Sequence, residues 1–527
     1  MLDQTPRSWR VGLTLSALLL SACGTTGDDD GFGTPTPTPG EFGQSPGAEP
    51  TATPTPSPDP YLYVQDAAAI LSGSAASDRL GFAVVVAGDL NGDGFGDLAF
   101  SAPYRDERQP DGGSVGILFG APSGFESQSF AELEVTLGGE GREDLAGHTL
   151  AAGGDLNGDG LDELLVGAPF NDLGGPDAGR VYVVFGRSSG WYPGMRLSDQ
   201  PSFFGVAGEA IGAIDTVAGG ADLNGDGLDD LAIGSPFAAP TGTDSGQVTL
   251  ILGKSTGWEQ EAPLSEAGLV LKGEAAHDRA GFSVAISADL GEDGYADLLV
   301  GAPLSARGGR GGAVYLLPGR AGLTGSAQSL SVCEHIFVST QEGLELGSHV
   351  APGRDLNADG FNDFVVGAWG NGTTQGQGLY YLVAGSSTFK PGQKVEHNIQ
   401  SMALSRITGS YPGEGVGQAG VGISDLNGDG IDDLLLGSWR GNFAALIPGN
   451  TSWPETISFG AAPLLLIAQL PGDGLGFAVA GGDLDGDAVP ELIIGALNAD
   501  SGLLADAGKL YVMRGDRSWP YQSVNPP

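Results

Sequence analysis

Short apolar runs recur along this chain, each bounded by clusters of Gly, Pro, Asp and Asn. β-Branched and aromatic residues dominate the runs, and no helical period is sustained. This pattern predicts strands. In the first unit the predicted strands are Gly81–Ala87, Leu98–Ala102, Ser114–Phe119 and Glu134–Leu137. Third strands recur as Val181–Phe185, Val248–Leu252, Val314–Leu317, Leu379–Val383, Phe443–Ile447 and Leu510–Met513. Fourth strands lie near Val135, Phe204, Val270, Phe337, Ser405 and Leu465, and the last unit has none after Met513. Ala67–Gly73, ahead of the first unit, reads as the missing one. Four-stranded units repeated radially predict an all-β, seven-bladed β-propeller, closed when the N-terminal strand joins the last blade.

Between the first and second strands of each unit lies a nine-residue polar loop, first seen as Asp89-Leu-Asn-Gly-Asp-Gly-Phe-Gly-Asp97. Six more copies begin at Asp155, Asp222, Asp289, Asp355, Asp425 and Asp483, at intervals of 66, 67, 67, 66, 70 and 58 residues. A fixed period of this kind identifies a repeat architecture. In the first copy, side-chain oxygens stand at positions one, three, five and nine (Asp89, Asn91, Asp93, Asp97), and Phe95 at position seven offers its carbonyl. Gly94 permits the turn that brings them inward. Hard oxygen donors in a flexible loop suit Ca²⁺ better than Zn²⁺ or Mg²⁺. Position twelve is Phe100 or Val166, not Glu, and strands rather than helices flank the loops, so these are not EF-hands.

The same pattern gives Asp155, Asn157, Asp159, Leu161 and Glu163 in the second copy, and Asp222, Asn224, Asp226, Leu228 and Asp230 in the third. The fifth has Asp355, Asn357, Asp359, Phe361 and Asp363. The sixth has Asp425, Asn427, Asp429, Ile431 and Asp433. The fourth keeps Asp289, Asp293, Tyr295 and Asp297 but has Gly291 at position three. The seventh has Asp483, Asp485, Asp487, Val489 and Glu491, with Ala488 where the turn favours Gly. The fourth and seventh are expected to bind calcium most weakly, and the set as a whole in the range of about 10⁻⁴ to 10⁻³ M.

Upstream of most loops sits a Gly-Phe pair (Gly81-Phe82, Gly281-Phe282, Gly476-Phe477), and downstream a Gly-Ala-Pro or a relative of it (Gly167-Ala-Pro169, Gly234-Ser-Pro236, Gly301-Ala-Pro303). Over about residues 67 to 517 the chain resembles the FG-GAP repeat of the integrin α-chain N-terminal propeller. The resemblance implies metal loops on one face and partner-binding loops on the other. Here that other face would carry Tyr104–Gly112, Phe170–Gly179, Phe237–Gly246 and Ala499–Ala507. Their mutual dissimilarity suits either a recognition surface or unconstrained loops.

Composition changes the picture in three places. A length of 527 residues exceeds one ordinary core but suits a repeat array. The formal charge of −42 argues against nucleic acid as a partner, and 26 of the 65 acidic residues lie in the seven loops, where an ion would offset them. Residues 1–22 read as a secretion signal, with Arg7, Arg10 and an apolar run from Val11 to Leu20 too short for a span. Leu20-Ser-Ala-Cys23 resembles a bacterial lipoprotein box, which implies lipidation of Cys23. Gly24 after it favours an outer-membrane lipoprotein of the cell envelope, on the periplasmic or the outer side. Thr- and Pro-rich sequence over 23–60 reads as an extended tether, 61–517 as the propeller and 518–527 as a tail. Cys333, the other cysteine, is expected to be a small buried hydrophobe.

Several motifs invite other readings. Gly186-Arg-Ser-Ser-Gly190 and Gly253-Lys-Ser-Thr-Gly257 match a nucleophile elbow but stand at the same repeat position, after third strands, and read as turns. Arg514-Gly-Asp516 occupies the equivalent turn. The aromatics that follow these turns (Phe125, Trp191, Trp258, Phe389, Trp453, Trp519) read as packing residues rather than sugar platforms. The histidines show no zinc spacing. The sequence therefore points to a calcium-stabilised, membrane-tethered module that binds a protein or glycan ligand and is not an enzyme. The alternatives are a lectin-like protein using exposed Trp residues and a hydrolase related to the lipid-anchor phospholipases that also carry such repeats.

Overall fold

A computed structural model describes residues 61–324, 327–370, 376–392, 394–468 and 470–519. The signal segment, Cys23, the tether and the tail from residue 520 lie outside the described residues. The described residues, from Tyr61 on, form one unit by their internal contacts.

The unit consists of seven sheets, with helix confined to single turns such as Leu264–Ala267 and Ile399–Met402. In blade 1, Val84–Val86, Leu98–Ala102, Ser114–Leu118 and Val135–Gly138 follow one another in antiparallel register. Second strands are buried along their whole length, as in Glu163–Ala168 and Asp433–Ser438, because a neighbouring blade covers each face. That is why they read as continuous apolar runs rather than as alternating ones.

Closure occurs as the strand count requires. Ala69–Ser72 pairs antiparallel with Lys509–Met513, Ala69 opposite Val512 and Ser72 opposite Lys509, and completes blade 7. The structure adds a second seam. Each sheet gains a short fifth strand, parallel to the fourth and supplied by the following unit, such as Met195–Arg196 beside Leu137–Gly138. For blade 6 this strand is Tyr61–Tyr63, beside Leu465–Ile467. The N-terminus therefore ties two blades. Two- and three-residue strands carry too little pattern to be seen in the sequence.

Seven buried clusters hold the ring, one at each blade boundary. The cluster that joins the last blade to the first includes Leu71, Phe100, Phe130, Ile493 and Val512. Close backbone approach accompanies them. A Cβ placed on Gly495 would lie 2.1 Å from the Gly81 carbonyl oxygen, and one on Gly301 would lie 2.1 Å from that of Gly347. From blade 2 onward the glycine of the downstream motif thus meets the glycine of the next blade's upstream motif, while blade 1 places Ser101 against Gly147, and a Cβ at Gly495 or Gly301 would press on backbone of the next blade.

Candidate metal loops and the opposite face

All seven acidic loops lie between first and second strands. The position-one carboxylate folds each loop: Asp89 accepts from the amides of Gly92 (2.6 Å) and Gly94 (2.8 Å), and Asp425 accepts from Gly428 and Gly430 in the same way. The position-five carboxylate accepts from the position-seven amide, Asp93 from Phe95 at 3.0 Å and Asp359 from Phe361 at 3.0 Å. Asn91 bonds Asp93 through both its amide nitrogen and its oxygen. Position six takes a left-handed conformation throughout, with φ +89° at Gly94 and +63° at Ala488. Ala488 therefore keeps the turn, at the cost of a strained backbone.

Position nine is buried and bridges strands. Asp97 accepts from the amides of Leu90 (2.8 Å) and Gly120 (2.9 Å), and Asp230, Asp297, Asp363 and Asp433 repeat the arrangement. Burial raises the pKa of these carboxyls, loop carboxylates such as Asp89 and Asp93 add to the rise, and the backbone bonds oppose it. Asp97, Asp297, Asp363, Asp433 and Glu491 are pushed up to about 7, Asp230 to about 6 and Glu163 to about 8. Negative charge at these positions is poorly solvated and self-repelling, the condition that a bound divalent ion relieves.

Three carboxylates converge at the seventh loop, where oxygens of Asp483, Asp485 and Glu491 lie within 4.8 Å of one another. Elsewhere position three is Asn or, at Gly291, carries no donor. Position eight was not singled out in the sequence, yet it links neighbouring loops. Asp162 accepts from the Asp89 amide at 2.7 Å and Asp229 from the Asp155 amide at 2.9 Å. The Asp at this position in several copies was the available signal.

The loops joining second to third strands occupy the other end of the blades. They are not loose. Most are bonded through the backbone to the segment entering the next blade: Asp111 O accepts from Leu145 N at 3.1 Å, Asp177 O from Ala210 N at 3.0 Å, and Ala505 O from Ser77 N at 2.9 Å, while in blade 6 the Asn442 side chain makes the link, donating to Leu470 O and accepting from Leu475 N. Of eleven exposed large hydrophobic side chains among the described residues, six lie on these loops and entering segments: Leu173, Val206, Leu304, Tyr411, Leu470 and Leu503. Leu503 is fully exposed. None lies in an acidic loop.

A cavity lined by Phe82, His148, Asp215, His349, Trp369 and Phe477 draws on residues at or near the starts of first strands. His349 donates to Asp215 (3.0 Å) and to the Gly420 carbonyl (3.0 Å), so both of its nitrogens carry protons. Burial opposes that charge, but Asp215 and the carbonyl outweigh it and raise the pKa. His148, also buried, has no such partner, and its pKa falls to about 3.

The remaining motifs are structural. The two elbow-like sequences are turns after third strands, and each leads into a short strand, Met195–Arg196 or Ala262–Pro263, rather than directly into a helix. Trp191 and Trp258 each donate the indole N–H to a carbonyl four residues back, at 2.7 Å, and Arg187 and Lys254 cover their faces. Phe389 is buried, and Trp453 donates to the Leu356 carbonyl at 3.0 Å. Cys333 is a free, buried thiol whose pKa burial pushes up.

A family model for the FG-GAP repeat matches residues 81–118, 146–184, 214–251, 280–317 and 475–513, which correspond to blades 1 to 4 and blade 7. Blades 5 and 6, which lie outside these residues, share the topology. Integrin alpha-5 of Xenopus laevis is 31% identical over 231 residues, 43% of this chain and 20% of that protein. Integrin alpha pat-2 of Caenorhabditis briggsae is 32% identical over 238 residues, 44% of this chain and 18% of that protein. The phosphatidylinositol-glycan-specific phospholipase D of Bos taurus is 31% identical over 221 residues, 39% of this chain and 24% of that protein. The matched region spans about a fifth of the length of these integrin relatives. The chain is a seven-bladed β-propeller that carries FG-GAP repeats in five of its blades and is similar to integrin α chains.

Proposed function

We propose that this propeller is a calcium-stabilised binding module, anchored to a membrane through a lipidated Cys23, that captures a protein ligand on the face opposite the acidic loops. One observation carries the reading: six of the eleven exposed large apolar side chains among the described residues lie on mutually dissimilar loops and entering segments at one end of the blades, and none lies in an acidic loop. Exposed apolar groups on a stiff scaffold bind at small ordering cost. A protein ligand is favoured over a glycan because the repeated indoles are already bonded and covered within the blades. The similarity to a phospholipase D covers 24% of that protein, and the elbow-like motifs are turns, which favours binding over hydrolysis.

Calcium is supported by the donor set and by the crowded, poorly solvated carboxylates at position nine. The residues that would hold it are the oxygens at positions one, three, five and nine and the carbonyl at seven. Its contribution is mechanical: it fixes each first-to-second strand connection. The test is capture from envelope extracts by the full chain and by a variant carrying Leu470→Asp and Leu503→Asp. Capture lost in the variant at unchanged melting temperature supports the reading. Equal capture by both overturns it.

A further inference from the structure

The seventh loop departs from the other six in two ways that belong together. Position three is a carboxylate, Asp485, instead of Asn or Gly. The residue before the glycine that ends the third strand is also basic only here: Arg514 stands where the other blades have Phe119, Phe185, Leu252, Pro318, Ala384 and Pro448. Its guanidinium reaches back over the loop, 2.9 Å from Asp485 Oδ2 and 3.2 Å from Asp487 Oδ2. An added negative charge is thus met by an added positive one. Of the basic residues one step beyond the glycine, Arg187 and Lys254 instead lie over Trp191 and Trp258, and Arg320 pairs with Glu334.

A second observation shows that the loop offers a ligand more than its backbone uses. In five loops both oxygens of the position-nine carboxylate accept from backbone amides, one of them from the turn glycine. In the seventh, Glu491 is only 4% exposed, its Oε2 accepts from Leu484 N, and its Oε1 is buried without a hydrogen-bond partner. Oxygens of Asp483, Asp485 and Glu491 lie within 4.8 Å of one another. The loop therefore holds an unsatisfied buried oxygen, while one oxygen of Asp485 and one of Asp487 are held by a guanidinium.

We propose that Arg514 is a resident cation of the seventh loop, which holds the ring-closing blade when calcium is scarce and competes with a divalent ion for Asp485 and Asp487. This rests on the calcium reading of the loops. Arg514 directly follows Lys509–Met513, the strand that receives Ala69–Ser72, so the cation joins the closing seam to the loop. A divalent ion must displace it. The seventh loop then fills last, although it has the most carboxylate ligands.

The test counts calcium ions on the full chain by native mass spectrometry across a calcium titration, for the wild type, Arg514→Gln and Arg514→Lys. Removing the charge should lower the calcium needed for the last ion by about tenfold or more, the order of the repulsion between a single and a double charge some 4 Å apart in water. Arg514→Lys, which keeps the charge, should fill like the wild type. If all three proteins take up the same ions at the same concentrations, the role of Arg514 is overturned and the calcium reading stands. If none takes up calcium, both fall. Equal far-ultraviolet circular dichroism of the three proteins shows that the comparison is between folded molecules.

Discussion

The two ends of the blades are built from the same repeat but have opposite properties. At the acidic end, residue types recur position by position, because each side chain is engaged: Asp89, Asp155 and Asp425 fold their loops, and Asp97, Asp230 and Asp433 bridge to the turn after the third strand. At the other end backbone pairing recurs, as in Asp111 with Leu145 and Asp177 with Ala210, together with a buried carboxylate that folds the entering segment, as at Asp78, Asp144 and Asp278, while the residues between these anchors vary. When backbone pairing and one recurring carboxylate hold a loop in place, its other side chains are free to specialise. When the side chains hold it, substitution costs stability. Changes at the acidic end and the blade seams should therefore move stability, and changes at the opposite end should move binding.

The largest effect is expected from the double N-terminal seam. Deleting residues 61–73 removes the fourth strand of blade 7 and the fifth of blade 6, and exposes the partners of the buried Val64, Ala69 and Leu71. The loss is about 5 kcal/mol or more, read as collapse of the cooperative melt, while deleting residues 24–60 leaves the melting temperature unchanged. Equal melts would break the closure argument. Next comes calcium: at ten times its dissociation constant, each filled loop adds about 1.4 kcal/mol, so EDTA should lower the melting temperature by many degrees. A melt indifferent to EDTA would remove the acidic end from the comparison.

A smaller loss, about 2 kcal/mol by overpacking, is expected for Gly495→Ala, whose new Cβ would press on the Gly81 carbonyl across the closing seam. Chemical denaturation measures it. His349 gives a weaker, pH-dependent effect. Its folded pKa is raised, so its contribution is complete below the ordinary value of 6.5 and is lost as pH rises through the folded value. With calcium saturating, the melting temperature should fall from pH 6 to pH 8 more in the wild type than in His349→Gln. The smallest change in stability, within about 0.5 kcal/mol, is expected for Leu503→Asp, which touches only the exposed end. A large destabilisation there would show that the two ends are not separable.

The sequence by itself determined the number of blades, the position of each acidic loop and the identity of the closing strand. These features repeat or interrupt a repeat, and a missing fourth strand is visible by counting. The engaged donors were legible for the same reason, since Asp and Asn at alternate positions around Gly have one local way to turn. Tertiary structure alone decided the relations between blades. The short parallel fifth strands, the Tyr61–Tyr63 seam and the contact between glycines of successive blades pair segments far apart in the chain. The pairing of His349 with Asp215, 134 positions apart, and the reach of Arg514 to Asp485 and Asp487 belong to the same class. Local pattern specifies what a strand or turn is. Which surfaces meet depends on how the ring closes, and no stretch of sequence contains that geometry.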